Sequence, residues 1–279
     1  MNTKIRFFGA GNMAGAMVKG LITRGFEAQN IALSDPNLSI LEFLASQYPV
    51  ITSTDNSALL EGFDVFILAV KPQTMMALLD EIAGRLPRNA LVLSIAAGVT
   101  TSQISQKLGR HTAIVRCMPN TPAIVHVGAT GLFAGQTVNE NHKQLAYKIM
   151  SAVGMSIWLS TEDQIDAVTA LSGSGPAYFF LVMEKMIAAG IQMGLSADVA
   201  KQLCLQTALG SAQLAITSAD PPSILRKNVT SPNGTTERAI SVLEKNDLGA
   251  IFESALFAAQ KRAQELSKEI APLRELTPD

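Results

Sequence analysis

The chain has 279 residues, 48% of them hydrophobic, and a formal net charge of −1. This length predicts about two domains of ~150 residues each, and the near-neutral charge argues against nucleic acid as a partner. Two isolated cysteines and three histidines predict neither a disulfide framework nor a metal site. No run approaches the ~18 uninterrupted apolar residues of a membrane span. The N-terminus lacks a signal-peptide pattern, so we expect a cytoplasmic protein.

A glycine turn follows the first predicted strand. Ile5–Phe8 is a short apolar strand, and Gly9-Ala10-Gly11-Asn12-Met13-Ala14 follows it with the pattern G-x-G-x-x-A at the start of a helix. The first glycine permits a tight turn, the second lets the backbone approach a pyrophosphate, and the small third residue lets the helix pack on the strand. The helix N-terminus also favours phosphate. The pattern therefore predicts a dinucleotide site.

An acidic residue stands where such sites usually bind the adenosine ribose. Ile31–Ser34 is the second predicted strand, and Asp35 lies 24 residues beyond Gly11 (35 − 11). A carboxylate at this position accepts hydrogen bonds from the ribose hydroxyls, which favours NAD. No arginine follows immediately to meet a 2′-phosphate, although Ser34 and Asn37 can hydrogen-bond one. The alternative is that Asp35 belongs to a plain turn.

Strands and helices alternate through the first half of the chain. Asp64–Val70 is a continuous apolar strand that ends at Lys71-Pro72, where Lys71 is either a ligand contact or an ordinary solvated lysine. Leu91–Ile95 is a second such strand, and the small residues Ala96-Ala97-Gly98 after it leave room for a flat cofactor ring. A helix is predicted to start at Asn56. Further strands are predicted at Ala113–Arg116, Val127–Phe133 and Ile157–Leu159. The alternation predicts an α/β fold with a doubly wound parallel sheet.

After Leu159 the pattern is helical throughout. The helix from Pro176 to about Met193 is apolar nearly all round, which is typical of a helix in a large core or between subunits. Apolar residues in Gly249–Ile270 alternate at spacings of four and three, as in a bundle or dimer seam. We therefore predict a dinucleotide-binding Rossmann domain at residues 1–160, an all-helical domain at 161–270 and a loose tail at 271–279.

A polar turn of small residues precedes one of these helices. The stretch Asn228-Val229-Thr230-Ser231-Pro232-Asn233-Gly234-Thr235-Thr236-Glu237 brings hydroxyls, free amides and a helix N-terminus together. Such a turn is a suitable site for a carboxylate and needs no arginine. The alternative is a plain capping turn, since serine and threonine are common caps.

Six motifs together resemble pyrroline-5-carboxylate reductase, the last enzyme of proline synthesis, over nearly the whole chain except the tail. They are Gly9-Ala10-Gly11-Asn12-Met13, Ala69-Val70-Lys71-Pro72, Ala96-Ala97-Gly98-Val99, Met118-Pro119-Asn120-Thr121-Pro122, Ser172-Gly173-Ser174-Gly175-Pro176-Ala177-Tyr178 and Val229-Thr230-Ser231-Pro232-Asn233-Gly234-Thr235-Thr236. The resemblance implies an N-terminal Rossmann domain and an all-helical C-terminal domain that binds substrate and dimerises by interleaving helices. Dimers of the family often assemble further, commonly to a decamer.

The resemblance also implies the site residues. The dinucleotide, NADPH or NADH, would be lined by Phe8, Gly9, Ala10, Gly11, Asn12, Met13, Ser34, Asn56, Ala69, Val70, Lys71, Pro72, Ala96, Ala97 and Gly98, to which its position adds Asp35. The substrate would be surrounded by Glu162, Asn228, Ser231, Gly234, Thr235 and Thr236. The family usually has two glycines after Ser-Pro, and here the first is Asn233; asparagine tolerates left-handed backbone better than most residues. The family commonly uses NADPH and many members use both cofactors, whereas Asp35 favours NADH.

The implied reaction is hydride transfer from NAD(P)H to the C=N carbon of 1-pyrroline-5-carboxylate, a small cyclic imino acid, giving L-proline. A protonated cyclic imine is already an electrophile, so the chemistry requires no metal, serine nucleophile or histidine base. Thr236 is the expected catalytic residue, hydrogen-bonded to the ring nitrogen. Tyr178 or a water is the alternative proton donor.

Two other functions remain open from the sequence. An NAD(P)-dependent β-hydroxyacid-type dehydrogenase would need a lysine in its second domain as acid or base, and Lys185 and Lys201 are the candidates, although neither lies in a small-residue turn. A non-catalytic NAD(P)-sensing protein on the same scaffold is the other alternative. The intact turn at Ser231–Thr236 argues against it.

Overall fold

The computed structural model describes residues 2–58 and 60–270. The predicted tail at 271–279 lies outside these residues. The described residues form eight strands, which are β1 Ile5–Phe8, β2 Ile31–Ser34, β3 Ile51–Ser53, β4 Val65–Leu68, β5 Leu91–Ser94, β6 Ala113–Met118, β7 Gly128–Ala134 and β8 Gly154–Trp158. They join into one sheet with the order β3-β2-β1-β4-β5-β6-β7-β8.

Eleven α-helices accompany the strands in the described residues. They are α1 Asn12–Thr23, α2 Leu38–Gln47, α3 Pro72–Ile82, α4 Thr101–Leu108, α5 Glu140–Met150, α6 Gln164–Val168, α7 Gly175–Gln192, α8 Ala197–Thr217, α9 Pro222–Asn228, α10 Thr235–Lys245 and α11 Leu248–Ile270. A π-helical turn at Thr169–Gly173 follows α6. A short 3-10 helix at Thr121–Val125 connects β6 to β7.

Both faces of the sheet are covered, as the doubly wound fold class predicts. Successive strand residues point to opposite faces, so Phe7 packs in one core with Met17 of α1, while Phe8 packs in the other with Met75 of α3. All four residues of β1 are fully or almost fully buried, and so are those of β2, β4 and β5. Continuous apolar strands of this kind require cover on both sides.

The sheet departs from the predicted all-parallel arrangement at one pairing. β7 runs antiparallel to β6, and β8 is parallel to β7. A parallel neighbour of β6 would need a crossover of a dozen or more residues, and only the short helix Thr121–Val125 is present there. The chain therefore turns back directly, and the strand predicted at Val127–Phe133 forms at Gly128–Ala134 with reversed direction.

One local prediction was wrong, and one short helix was not predicted. No helix starts at Asn56, because Asp55 accepts hydrogen bonds from the backbone N–H and the hydroxyl of Ser57, both at 2.8 Å; such local side-chain bonds compete with a helix. The segment Pro222–Asn228 forms α9 with a proline at its first position. Proline is well suited there, because a backbone N–H at the first helical position would have no helical partner and proline has no N–H to leave unpaired.

Contacts divide the chain into two compact units. The first extends to Ser174 and resumes at Ala258, and the second is Gly175–Phe257. This spatial division falls later than the sequence boundary at residue 160. The long helix α11 contributes its first turns to the second unit and its remaining turns to the first.

The second unit has almost no core of its own. Its buried residues are Gly175, Gly190, Ala200 and Cys204. The large apolar side chains of α7 are instead exposed, including Phe179 at 68% and Phe180 at 63%. By length and composition Gln164–Gln192 is the one stretch among the described residues that could cross a membrane; its most apolar 18-residue window has a mean hydropathy of 1.2, and 22% of that window is buried. An exposed apolar surface of this size marks an interaction site.

Candidate active site

The carboxyl ends of the central strands lie in register along one edge of the sheet. Phe8 of β1 pairs with Ser34 of β2 and with Leu68 of β4, and Leu68 pairs with Ser94 of β5. The strand order reverses between β1 and β4, because β2 and β3 lie on one side of β1 and the later strands on the other. Ligands of open α/β sheets bind in the crevice at such a reversal.

The loop after β1 packs directly on the loop after β4. The backbone N–H of Ala69 donates to the carbonyl of Phe8 at 2.8 Å, and the N–H of Gly9 donates to the carbonyl of Ser34 at 2.7 Å. Gly9 has φ +97°, and a Cβ at this position would lie 2.6 Å from the carbonyl oxygen of Ala69. Only glycine satisfies both the left-handed backbone and the close approach.

The start of α1 is open towards the crevice. Gly11 is the N-cap residue, so no side chain caps the helix at this position. A Cβ built on Gly11 would meet no atom within 4 Å. The first N–H groups of α1 have no helical partner. They face open space with the positive end of the helix dipole, which suits the pyrophosphate of a dinucleotide. Ala10, Asn12 and Met13 complete the predicted glycine loop.

The two glycines give a matched test of this loop. We expect Gly11→Ala to leave stability nearly unchanged, since φ is −66° and the space is empty, and to weaken NADH binding about tenfold or more, because the methyl group occupies ligand space. Gly9→Ala instead strains the fold by at least ~1–2 kcal/mol. Urea unfolding and a fluorescence titration with NADH separate the two effects. Equal binding by Gly11→Ala and wild type would contradict the assignment.

Polar groups at the end of β2 form a connected network. The Ser34 hydroxyl donates to Oδ1 of Asn56 at 2.8 Å, and Nδ2 of Asn56 donates to Oε2 of Glu81 at 2.9 Å. Asp35 accepts the N–H of Ala10 at 2.9 Å through Oδ2 and the N–H of Asn37 at 2.9 Å through Oδ1. The acidic residue that follows β2 is thereby tied to the glycine loop.

The loops after β4 and β5 complete the edge. Ala69 and Val70 are half-buried, Lys71 is the exposed N-cap of α3, and Pro72 is at the first position of that helix. Ala96 and Gly98 are buried and Ala97 is half-buried. These predicted cofactor residues therefore come together at one edge of the sheet, within the first unit.

The loop after β5 packs against the end of α11. Gly98 has φ +71°, and a Cβ added to it would lie 3.1 Å from the Cβ of Leu266 and 3.2 Å from Cδ1 of Ile270. The capping box of Thr100 and Gln103 then starts α4. The loop Ala96–Gly98 therefore lies between the end of β5 and the start of α4 and packs on α11. The sequence pattern did not indicate the contact with α11.

Glu162 belongs to a buried charged cluster in the first unit. Its carboxylate accepts the N–H and the hydroxyl of Thr101, both at 2.7 Å, and Nη1 of Arg116 at 3.3 Å. Nη2 of Arg116 reaches Oδ1 of Asp166, also at 3.3 Å. Burial raises the pKa of Asp166, and the positive charge of Arg116 partly offsets this. Glu162 also borders a cavity of about 580 Å³ that lies beside Thr101 and Thr137.

The remaining predicted substrate residues lie in the second unit. Asn228 ends α9, and Gly234 is the N-cap of α10 with no capping side chain. Asn233 adopts φ +58°, so this asparagine takes the left-handed conformation. Its N–H donates to Oε2 of Glu237 at 2.8 Å, and the N–H of Gly234 donates to the carbonyl of Ser231 at 3.0 Å.

The turn keeps several donors free. In the described part of the chain, the hydroxyls of Ser231, Thr235 and Thr236 make no hydrogen bond. The first N–H groups of α10 also lack a side-chain cap. Hydroxyls and amides that converge without partners can bind a small carboxylate.

Three functional candidates were missed from the sequence. Glu81, Arg116 and Asp166 have no motif around them. A charged residue in the apolar strand Ala113–Met118 was the one available indication, because a buried charge needs a partner. The lysines of the dehydrogenase alternative are exposed, with Lys185 paired to the neighbouring Glu184 at 2.6 Å.

Two family models match the chain in consecutive segments. Residues 4–98 match the family described as NADP oxidoreductase, coenzyme F420-dependent. Residues 162–266 match the family described as pyrroline-5-carboxylate reductase dimerisation. The first segment contains the crevice between β1 and β4, and the second contains the turn before α10.

Whole-length relatives agree with these matches. The pyrroline-5-carboxylate reductase of Pseudomonas aeruginosa is 45% identical over 96% of this chain and 98% of its own. The structure of a pyrroline-5-carboxylate reductase from Coxiella burnetii is 46% identical, with a TM-score of 0.90 over 96% of this chain and 100% of that chain. The structure of Plasmodium falciparum pyrroline carboxylate reductase with NADP bound is 29% identical, with a TM-score of 0.85 over 95% of this chain and 98% of that chain.

The fold and the crevice define a nicotinamide-dinucleotide-dependent oxidoreductase with an N-terminal Rossmann domain and a helical C-terminal region. The similarity to these relatives extends over nearly the whole chain, and the segment matched by the dimerisation family contains the turn before α10. The chain belongs to the pyrroline-5-carboxylate reductase family.

Proposed function

We propose that this chain reduces 1-pyrroline-5-carboxylate to L-proline with NADPH or NADH, as the last step of proline biosynthesis. The observation that carries the proposal is the 45% identity over 96% of the chain to a reductase of that name. The turn before α10 supports it, because Asn233 takes the left-handed backbone at φ +58° where the family usually has glycine. The β-hydroxyacid alternative has less support, because Lys185 is paired with the neighbouring Glu184 and neither candidate lysine lies in a small-residue turn.

The residues of the first unit would hold the cofactor. The open N-terminus of α1 and the loop Gly9–Met13 bind the pyrophosphate, Asp35 lies beside the adenosine ribose, and Ala96–Gly98 leave space for the nicotinamide. Bound NAD(P)H supplies the hydride that the substrate requires. The chain positions this group, and its small side chains leave the crevice free for the nicotinamide ring.

The turn before α10 would hold the substrate. Ser231, Gly234 and Thr235 supply hydroxyl and amide donors to the carboxylate, and Asn228 lies at the adjoining end of α9. Thr236 donates its hydroxyl to the ring nitrogen of the neutral imine and relays one proton to it as the hydride reaches the carbon, while a water molecule returns a proton to the threonine oxygen. Glu162 is the predicted substrate residue of the first unit, where its bonds to Thr101 place its carboxylate at the start of α4, directly after the loop Ala96–Thr100.

The second unit would be completed by another copy of the chain. Its exposed apolar helices lie within the residues that match a dimerisation family, so a homodimer covers them, and dimers assemble further to a decamer. The enzyme works in the cytoplasm without nucleic acid or membrane. The net charge of −1 supports the absence of a nucleic-acid partner.

A charge on the apolar face of α7 tests the homodimer. We expect Phe180→Asp to give a monomer, because a carboxylate cannot be buried in an apolar interface without a large cost. Phe43→Asp in α2 is the matched control, since Phe43 is 64% exposed and Phe180 is 63% exposed. Sedimentation velocity reads the mass directly. An unchanged oligomer in Phe180→Asp would place the interface elsewhere.

The function itself is tested by substrate-dependent oxidation. The purified chain should consume NADH or NADPH only when pyrroline-5-carboxylate is present, with one proline formed per cofactor oxidised. A β-hydroxyacid should give no reduction of NAD or NADP. Binding of the dinucleotide without turnover of the imine would favour the sensing alternative and contradict the proposal.

A further inference from the structure

One asparagine side chain joins three segments of the first unit at the end of β6. Nδ2 of Asn120 donates to the carbonyl of Ser172 at 3.0 Å, and its Oδ1 accepts the N–H of Ala129 at 2.8 Å. We propose that Asn120 is a positioning residue for imine reduction, because it fixes the point at which the chain leaves the first unit for the second. The inference rests on the proposed function, and it adds a residue outside the predicted cofactor and substrate sets.

Asn120 lies at the edge of the sheet that carries the predicted nicotinamide loop. Arg116 of β6 pairs with Ser94 of β5 in a parallel ladder, so the segments that follow these two strands leave the sheet side by side. The loop Ala96–Gly98 follows β5, and Asn120 follows β6. Ligands of open α/β sheets bind outside the carboxyl ends of the strands. The two bonds of Asn120 are therefore made at the ligand-binding edge.

The segment that Asn120 holds is the π-helical turn Thr169–Gly173. A Cβ added to Gly173 would lie 2.6 Å from Cε of Met118, so the turn lies directly on the end of β6. In a regular α-helix the carbonyl of Ser172 would accept the N–H of residue 176, but Pro176 has no N–H. Asn120 supplies a donor to this carbonyl from outside the helix. π-Helical turns are frequent at functional sites.

The chain passes between the two compact units at two points. One is the peptide Ser174–Gly175, and the other is Phe257–Ala258 within α11. The part of α11 that belongs to the first unit is anchored there, because Nε2 of Gln103 donates to the carbonyl of Ser267 at 2.8 Å. The bond from Asn120 is the corresponding anchor of the first crossing, two residues before it.

These anchors matter because the proposed reaction uses groups from both units. The predicted cofactor residues belong to the first unit, whereas Thr236 belongs to the second. Hydride transfer depends steeply on the distance between the reacting atoms, and a displacement of ~1 Å can lower the rate ~10²-fold. Loss of the bond between Asn120 and Ser172 should therefore reduce kcat, while the cofactor residues and their affinity for NADH are left as they are.

Asn120→Asp tests this role with almost no change of shape. A charged carboxylate still accepts the N–H of Ala129, but it turns a second acceptor towards the carbonyl of Ser172. At about pH 8 we expect kcat for imine reduction to fall about tenfold or more, with the dissociation constant of NADH nearly unchanged. Partial burial beside a carbonyl raises the pKa of the new carboxyl. The protonated form donates to Ser172 again, so kcat relative to wild type should recover at about pH 5.5.

Asn139→Asp is the matched control. Asn139 also lies in the first unit, where its side chain caps α5, and an aspartate caps a helix equally well. This variant should keep the wild-type kcat at both pH values. The ionisable groups on the elements around residue 120 are Arg116 on β6, Asp166 on α6 and His126 after the 3-10 helix. They are the same in all three proteins, so the ratio of the rates reports on residue 120.

The outcomes separate this inference from the proposed function. A kcat of Asn120→Asp equal to that of wild type overturns the inference, and so does a deficit that is the same at both pH values or that is matched by weaker NADH binding. If Asn120→Asp does not fold, Asn120→Ser removes the amide without adding a charge and must show the same loss of kcat at constant NADH affinity. A wild type that binds NADH but reduces no imine removes both proposals.

Discussion

Replacing Thr236 by valine is expected to lower turnover by about 10²-fold or more, the usual contribution of a positioned proton donor. Thr236 lies in the first turn of α10, is half-buried, and its hydroxyl makes no hydrogen bond within the described residues. The hydroxyl is therefore available to a ligand, and the ring nitrogen of a cyclic imine can accept its hydrogen bond. Valine keeps the shape of threonine and removes the donor.

The measurement compares kcat with cofactor affinity. Thr236→Val should leave the dissociation constant of NADH nearly unchanged, because the cofactor residues lie in the first unit. Thr236→Ser should recover most of the rate, since it retains the hydroxyl. Tyr178→Phe tests the other candidate donor and should keep the wild-type rate. A normal rate in Thr236→Val together with a slow Tyr178→Phe would transfer the role to the tyrosine.

Replacing Arg116 by methionine is expected to cost about 3–5 kcal/mol of folding stability. The Arg116 side chain is 2% exposed and bonds Glu162 and Asp166, both at 3.3 Å. Its loss leaves two largely buried carboxylates without their cation. Typical domains are stable by only ~5–15 kcal/mol, so the urea midpoint should fall markedly. Lys107→Met breaks the exposed pair with Asp80 and should cost less than ~1 kcal/mol.

The deficit of Arg116→Met should shrink in acid. The pKa of Asp166 is already raised by burial, and the loss of Arg116 would raise it further. A carboxyl whose pKa is higher in the folded than in the unfolded state stabilises the fold when protonated, and this stabilisation is lost as the pH rises through the folded pKa. Urea unfolding of the wild type and of Arg116→Met at about pH 7.5 and about pH 5 measures how the stability deficit changes with pH. A deficit that is equal at both values, or no larger than that of Lys107→Met, would contradict the buried cluster.

Local sequence patterns were sufficient to predict the backbone wherever a few neighbouring residues determine its conformation. The turn Gly9–Gly11 formed where the sequence predicts it, directly before α1, because glycine geometry acts over three or four residues. The expectation that Asn233 could replace glycine was correct for the same reason. Asparagine enters the left-handed region at small cost.

Contacts between residues far apart in the chain could not be predicted from the sequence pattern. Glu162 bonds Thr101 from 61 residues away and Arg116 from 46 residues away, and no periodicity encodes such pairs. The reversal of β7 depends on the shortness of the connection from β6, which contains only the 3-10 helix Thr121–Val125. The false helix at Asn56 arose because hydrogen bonds from Ser57 to Asp55 outweighed a weak helical pattern.

The central claim is direct hydride transfer to the imine carbon of a small ring acid. The most direct measurement uses NADH carrying deuterium on both C4 positions, pyrroline-5-carboxylate and the purified chain, with mass and NMR analysis of the proline formed. The account predicts one deuterium per proline, on C5. Proline without deuterium, or oxidation of the cofactor without proline, would contradict it.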